Sequence, residues 1–395
     1  MAAPNWQVKA LCFSAMAVEG YGLQLAGVAA IGIRKDLELS PAQMGLFFSI
    51  ASVGLAIGAA AGGAGANRLS RRSILIGSLA LFGIASIATV ASNGFSILLL
   101  FRLFGGLALG AVLSNVIALA SDSSPPGRQY SGVTIAYAGT PLGGALVASL
   151  AVLFGPGGWQ TLFLLNGVSG LVVALFFFGL SEDKGLPTPC EVNATFDRSG
   201  AGLFSGWDQT KRTLALWMVV GGTALILYLI LNWLPLVLAD SGLSVKNATA
   251  AQIAFTSVGI LSGLTVGRAL ERFEQRIVFS VLFICLFILF LTLSLGAPRT
   301  WLLYLEVGGL GLIVNALQGA CYSLAPPLYP QRTRAVGVGA AVASGRVGSI
   351  IGPLIGAGLV SLHLGPQGVF LGLLPAAVVT GICAIYLVTK HAVPK

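Results

Sequence analysis

Apolar residues run along this chain in long unbroken stretches, and polar residues collect in the short gaps between them. Stretches of spanning length lie at about 10–33, 42–66, 74–92, 95–120, 132–154, 159–180, 213–239, 247–270, 277–296, 300–324, 335–363 and 368–389. A helix rises about 1.5 Å per residue and a bilayer core is roughly 30 Å thick, so each can cross. The pattern predicts an all-α membrane protein of twelve transmembrane helices in two groups of six. One long polar stretch, 181–212, separates the groups. It reads as a cytoplasmic linker between an N-terminal bundle, 1–180, and a C-terminal bundle, 213–395.

The groups repeat. A shift of 204 residues lays Ser40 on Ser244, Gly63 on Gly267, Arg68 on Arg272, Arg72 on Arg276, Gly105 on Gly309, Pro126 on Pro330 and Arg128 on Arg332. Two six-helix repeats related by an axis along the membrane normal predict a rocking transporter with its site near mid-membrane where the repeats meet.

Composition agrees. Hydrophobic residues make up 56% of the chain and charged residues 9%, against roughly 25% charged in soluble proteins. The net charge of +9 therefore reports topology, and nucleic acid is excluded as a partner. Sixteen of the 22 Lys and Arg fall in segments on one side, four on the other and two inside helices. The bias places both termini in the cytoplasm. The five cysteines form no CxxC pair, so neither a disulfide framework nor a zinc site is expected. The first apolar run is too long for a cleavable signal core. HExxH and GxSxG are absent, which argues against an intramembrane enzyme.

Four ionisable residues lie well within the predicted spans: Glu19, Arg102, Glu306 and Arg346. Counted from Ala10, Glu19 sits about 13 Å deep. An ionised carboxylate there is costly, so it faces a cavity, has a partner or takes up a proton. Its repeat position holds Thr223, which cannot titrate. A guanidinium forks onto a carboxylate as a lysine cannot. Arg346, on a helical face with Gly339, Val342, Ser349 and Pro353, is therefore the candidate anchor for an anionic substrate, the alternative being a partner for Glu306. Helix 10 offers a polar stripe of Asn315, Gln318 and Tyr322. At about 100° per residue Asn315 lies opposite Glu306, so both face one cavity only if the glycines at 308, 309 and 311 distort the helix. Glu306 is either a coupling residue or a local partner for an arginine. Tyr228 and Asn232 share a face of helix 7. Trp233 beside them either stacks on a substrate ring or anchors at the outer interface. Gln24 and Tyr137 are further candidate contacts. No metal or cofactor is expected.

The loop after helix 2 reads G-A-G-A-N-R-L-S-R-R from Gly63 to Arg72, and the loop after helix 10 reads Y-P-Q-R-T-R-A-V-G-V-G from Tyr329 to Gly339. Helix 11 continues G-R-V-G-S-I-I-G-P, helix 5 holds G-T-P-L-G-G, and helix 1 holds E-G-Y-G-L-Q. Together these segments resemble the major facilitator superfamily and, within it, the aromatic acid:H⁺ symporter family. The resemblance implies helices 1, 4, 7 and 10 lining a path, and a loop motif at Asn67, Arg68, Arg71 and Arg72 that gates the cytoplasmic side. The family's helix 1 carries D-G-x-D; here Glu19 stands for the first acid and Gly22 for the second. Asn67 stands where the gating loop usually has an acid, which weakens that latch.

The resemblance also sets Glu19 and Arg102 near one cavity, either as a pair that opens on protonation or as a static packing pair. It implies a monomer in the bacterial cytoplasmic membrane that imports a small organic anion, an aromatic carboxylate such as a hydroxybenzoate, by proton symport. In that reading Arg346, with Arg102 as a second candidate, holds the carboxylate. The rivals are a proton-coupled exporter of drugs or metabolites, an importer of a non-aromatic organic acid, and a transport-fold receptor.

Overall fold

Ser40 and Ser244 open the second helix of each half in the same way. The Ser40 hydroxyl accepts from the Gln43 amide at 3.3 Å, and the Gln43 side chain accepts from the Ser40 amide at 2.9 Å. That is a capping box with Pro41 at the first helical position. The Ser244 hydroxyl accepts from the Asn247 amide at 3.3 Å. The shared cap gives the 204-residue register a physical meaning.

The structure, a computed structural model, describes residues 6–65, 69–92, 94–123, 135–179, 204, 206–296, 299–329 and 334–390. Twelve long helices are present among them: α1 (Trp6–Asp36), α2 (Pro41–Gly65), α3 (Arg71–Val90), α4 (Phe95–Asp122), α5 (Gly139–Phe154), α6 (Trp159–Phe178), α7 (Trp207–Asp240), α8 (Val245–Arg272), α9 (Gln275–Leu295), α10 (Thr300–Ser323), α11 (Arg334–Ser361) and α12 (Gly365–Lys390). A one-turn helix, Ala325–Leu328, follows α10.

Eleven of the twelve are long and apolar enough to cross a membrane. The exception is α8, which is long but more polar because it buries Thr249, Gln252, Thr256 and Ser262. Helix α7 begins at Trp207, inside the stretch expected to be linker. Its first turns are polar yet helical: Arg212 pairs with Asp208 one turn earlier at 2.5 Å, and the Lys211 ammonium lies 4.8 Å from the Trp207 ring centre.

The chain forms two compact units, Met1–Val192 and Asn193–Lys395. In the first, the main packing pairs are α1 with α5, α2 with α4 and α3 with α6. In the second they are α7 with α11, α8 with α10 and α9 with α12. The pairing is the same in repeat order. The tightest seams are built on glycine, which lets helix backbones touch. A Cβ at Gly143 would run into the Ala17 carbonyl oxygen across the α1–α5 seam, and one at Gly348 into the Gly221 carbonyl oxygen across the α7–α11 seam.

Candidate functional site

In the first unit, Glu19 is 2% exposed. The Thr140 hydroxyl on α5 donates to its Oε2 at 3.1 Å. The glycines of the seam bring the two together: a Cβ at Gly20 would strike the Thr140 carbonyl, so only a bare α1 backbone lets Thr140 come this close. The G-T-P-L-G-G segment thus supplies both the flat surface and the hydroxyl. Gln24, buried one turn further on, lies across Gly144. Tyr137, just ahead of α5, is 47% exposed.

Glu19 and Arg102 do not meet. The Arg102 guanidinium lies 5.0 Å from the ring centre of Phe47, and its Nε is sealed from solvent with no hydrogen-bond partner. It borders a small cavity lined by residues of α1, α2, α3, α4 and α6. The four-residue spacing of G-L-A-L-G on α4 serves α2: a Cβ at Gly106 would meet the Ala51 carbonyl and one at Gly110 the Leu55 carbonyl. That packing turns Arg102 away from Glu19 and toward the interior of the bundle.

In the second unit, the Arg346 Nη1 reaches the Tyr228 hydroxyl at 3.5 Å, the outer limit of a hydrogen bond. Both side chains are partly buried. The two helices approach closely through Gly348 and Gly352 on α11. Arg346 and Tyr228, singled out separately in the sequence, are thus in contact across α7 and α11. Asn232 sits one turn from Tyr228 but spends its amide on the Tyr228 carbonyl at 2.7 Å.

Trp233 differs from both sequence readings. It is 1% exposed, its indole N–H donates to the Pro353 carbonyl at 3.0 Å, and its ring covers Gly356. It is a packing residue of the α7–α11 seam, neither an interface anchor nor an open stacking surface. Asn315 points toward Gly259 on α8 and donates to its own helix at Gly311 at 2.7 Å. It belongs to the α8–α10 seam, which removes the need for a distorted helix. Glu306 keeps a buried Oε2 without a hydrogen-bond partner, and so does the Gln318 Oε1. Neither Glu306 nor Arg346 is joined to the other by an ion pair among the described residues. Tyr322 is 37% exposed, with its hydroxyl beside Gly345. Thr223, at the repeat position of Glu19, donates to the Val219 carbonyl at 2.8 Å.

Of the gating loop, Asn67 and Arg68 lie outside the described residues. Arg71 opens α3, and Arg72 reaches across to α6. Its Nε donates to the Phe177 carbonyl at 3.0 Å and its Nη2 to the Phe178 carbonyl. A cation on the last carbonyls of a helix satisfies orphan acceptors and suits the dipole. At the matching end of the second half, the Tyr329 hydroxyl donates to Thr213 at 3.3 Å, and a Cβ at Gly337 would strike the Tyr329 ring. Tyr and Gly of the Y-P-Q-R-T-R-A-V-G segment are therefore one packing unit.

Sequence reasoning missed Thr140, Asn166 and Gln252. Thr140 stands inside a segment read for its glycines alone. Gln252 is fully buried, with both side-chain polar atoms unpartnered. A lone polar residue in an apolar run marks both Asn166 and Gln252, but that signal does not say which way the side chain points.

Two homologous six-helix membrane units, one holding a buried acid and the other an arginine–tyrosine pair, define a secondary transporter. The chain belongs to the Major Facilitator Superfamily, whose profile matches residues 12–327 and 251–395. It is 36% identical over 384 residues to the 3-(3-hydroxy-phenyl)propionate transporter of Escherichia coli K12, covering 97% of this chain and 94% of that one. It is 30% identical over 423 residues to the 4-hydroxybenzoate transporter of Pseudomonas aeruginosa, covering 98% and 94%. With relatives of this kind, the chain stands within the aromatic acid:H⁺ symporter family. Among solved structures, a bacterial homologue of the human lysosomal transporter Spinster, inward-facing and occupied, superposes with a TM-score of 0.77 at 16% identity, covering 99% of this chain and 98% of that one. A D-xylose–proton symporter gives 0.76 at 15% identity, covering 96% and 97%. At these identities the likeness concerns the fold alone.

Proposed function

We propose that this protein imports a small aromatic carboxylate of the hydroxybenzoate or hydroxyphenylpropionate type together with a proton, by alternating access, as a monomer in the bacterial cytoplasmic membrane with both termini inside. The relatives named above carry substrates of this class. The observation that carries the reading is the buried carboxylate of Glu19 on α1, which accepts a hydrogen bond from the Thr140 hydroxyl on α5. Such an acid takes up and releases a proton as its access changes. Arg346, positioned by Tyr228, binds the substrate carboxylate with its fork of donors. No cofactor enters the cycle; the coupling ion is the proton.

The energetics favour coupling. An anion entering a negative-inside cell works against about 2.3 kcal/mol per 100 mV. One proton cancels that charge, and each unit of pH gradient adds about 1.4 kcal/mol. Uptake of labelled 4-hydroxybenzoate and 3-(3-hydroxyphenyl)propionate into proteoliposomes, with and without an inward proton gradient, tests the reading. Gradient-driven accumulation is expected. Flux against the proton gradient would make the protein an exporter.

A further inference from the structure

The cavity beside Arg102 is not used by the transport reading. It lies wholly within the first unit. Its walls are apolar at Phe82 and Gly105 and polar at Ser86, Thr89, Arg102 and Asn166. The space amounts to about 20 Å³ for the centre of a water-sized body, where roughly 10–15 Å³ admits one. Two atoms on this wall are sealed from solvent without a partner, the Arg102 Nε and the Asn166 Oδ1. The Ser86 and Thr89 hydroxyls are committed to the carbonyls of Phe163 at 2.9 Å and Ala85 at 2.8 Å. As they stand, the Arg102 guanidinium offers donors and the Asn166 Oδ1 is an acceptor.

The repeat shows that this space is not a general feature of the fold. In the 204-residue register, Ser86, Thr89 and Asn166 correspond to Phe290, Leu293 and Phe370, and Arg102 to Glu306. Phe290 and Phe370 are both buried with ring centres 6.3 Å apart, so side chains fill the matching region of the second half. In the first half the corresponding space is polar and faces a cation.

A guanidinium in a membrane-embedded bundle is strongly disfavoured without a counter-charge. The Phe47 ring compensates part of the charge through its π face. A water in the cavity would satisfy the Nε–H and leave the charge standing. A small anion does both. The two ends of an asparagine amide are equivalent in shape, so Asn166 can present its N–H₂ to such a guest. The cavity is too small for an aromatic acid as it stands.

We propose that the first unit holds a resident small monovalent anion, of chloride size, between the Arg102 guanidinium and the Asn166 amide. The site stands apart from the Arg346–Tyr228 pair and does not depend on the transport reading. Purified full-length protein is titrated with chloride against gluconate at constant ionic strength, reading the melting temperature. Binding to the folded state raises it in a saturable way, by a few degrees at saturation. Asn166→Leu and Arg102→Gln lose that response, whereas Arg346→Lys keeps it whatever becomes of aromatic acid binding. Bromide-soaked crystals give an anomalous peak beside Arg102. If Arg102→Gln does not fold, Asn166→Leu and the bromide peak decide. A wild type indifferent to chloride, an unchanged response in Asn166→Leu, or water alone beside Arg102 in bromide overturns the proposal.

Discussion

The Thr140 hydroxyl donates to the Glu19 carboxylate at 3.1 Å across the α1–α5 seam. It marks Glu19 as an acid with a chosen neighbour. A hydrogen bond to a charged group contributes about 1.5–3 kcal/mol, and about 1.4 kcal/mol is a factor of ten. Thr140→Val should therefore reduce proton-driven accumulation by about tenfold or more. Substrate exchange at equal pH on both sides should change far less. Equal loss of both activities would mean that Thr140 serves packing only.

Gly143 permits the same contact from below. An alanine there would press on the Ala17 carbonyl and force α1 from α5. Gly143→Ala should impair coupling as Thr140→Val does and should also lower the melting temperature, which Thr140→Val should not. A fully active, fully stable Gly143→Ala would show that the seam has slack.

Arg346 is held against α7 at Tyr228. Arg346→Lys keeps the charge and loses the fork, so its KM for aromatic carboxylates should rise by about ten- to a hundredfold. Tyr228→Phe should give a smaller rise in the same direction, because it removes a positioning contact and keeps the guanidinium. Unchanged affinity in Arg346→Lys, measured by uptake at low substrate, would make Arg346 structural.

Trp233 fills the α7–α11 seam. Trp233→Ala should destabilise the protein by about 3–5 kcal/mol, the range for truncating a buried tryptophan. Trp233→Phe should keep KM near the wild-type value. A large rise in KM for Trp233→Phe with unchanged stability would restore the ring-stacking role.

The fold was legible because each run of apolar residues had to satisfy its own backbone in lipid, and only helices do that. The start of α7 at Trp207, inside the expected linker, is a helical start whose polarity is balanced locally by Asp208 and Arg212. The site was legible by residue type and less so by direction. Glu19 and Arg346 stand out in the sequence because charge inside a membrane span is rare. Arg102, Trp233 and Asn315 were misdirected because rotation about a helix axis is set by glycine seams, at Gly106, Gly356 and Gly259, whose partners lie on another helix. Thr140 was invisible for the same reason: nothing in α1 names the residue of α5 that will face it.

The central claim is that Glu19 carries the proton that drives uptake. Proteoliposomes holding the wild type or Glu19→Gln are given an inward pH gradient and labelled 4-hydroxybenzoate. The wild type should accumulate substrate above the external concentration, while Glu19→Gln should equilibrate it by exchange and accumulate none. Uphill accumulation by Glu19→Gln at the wild-type level would contradict the account.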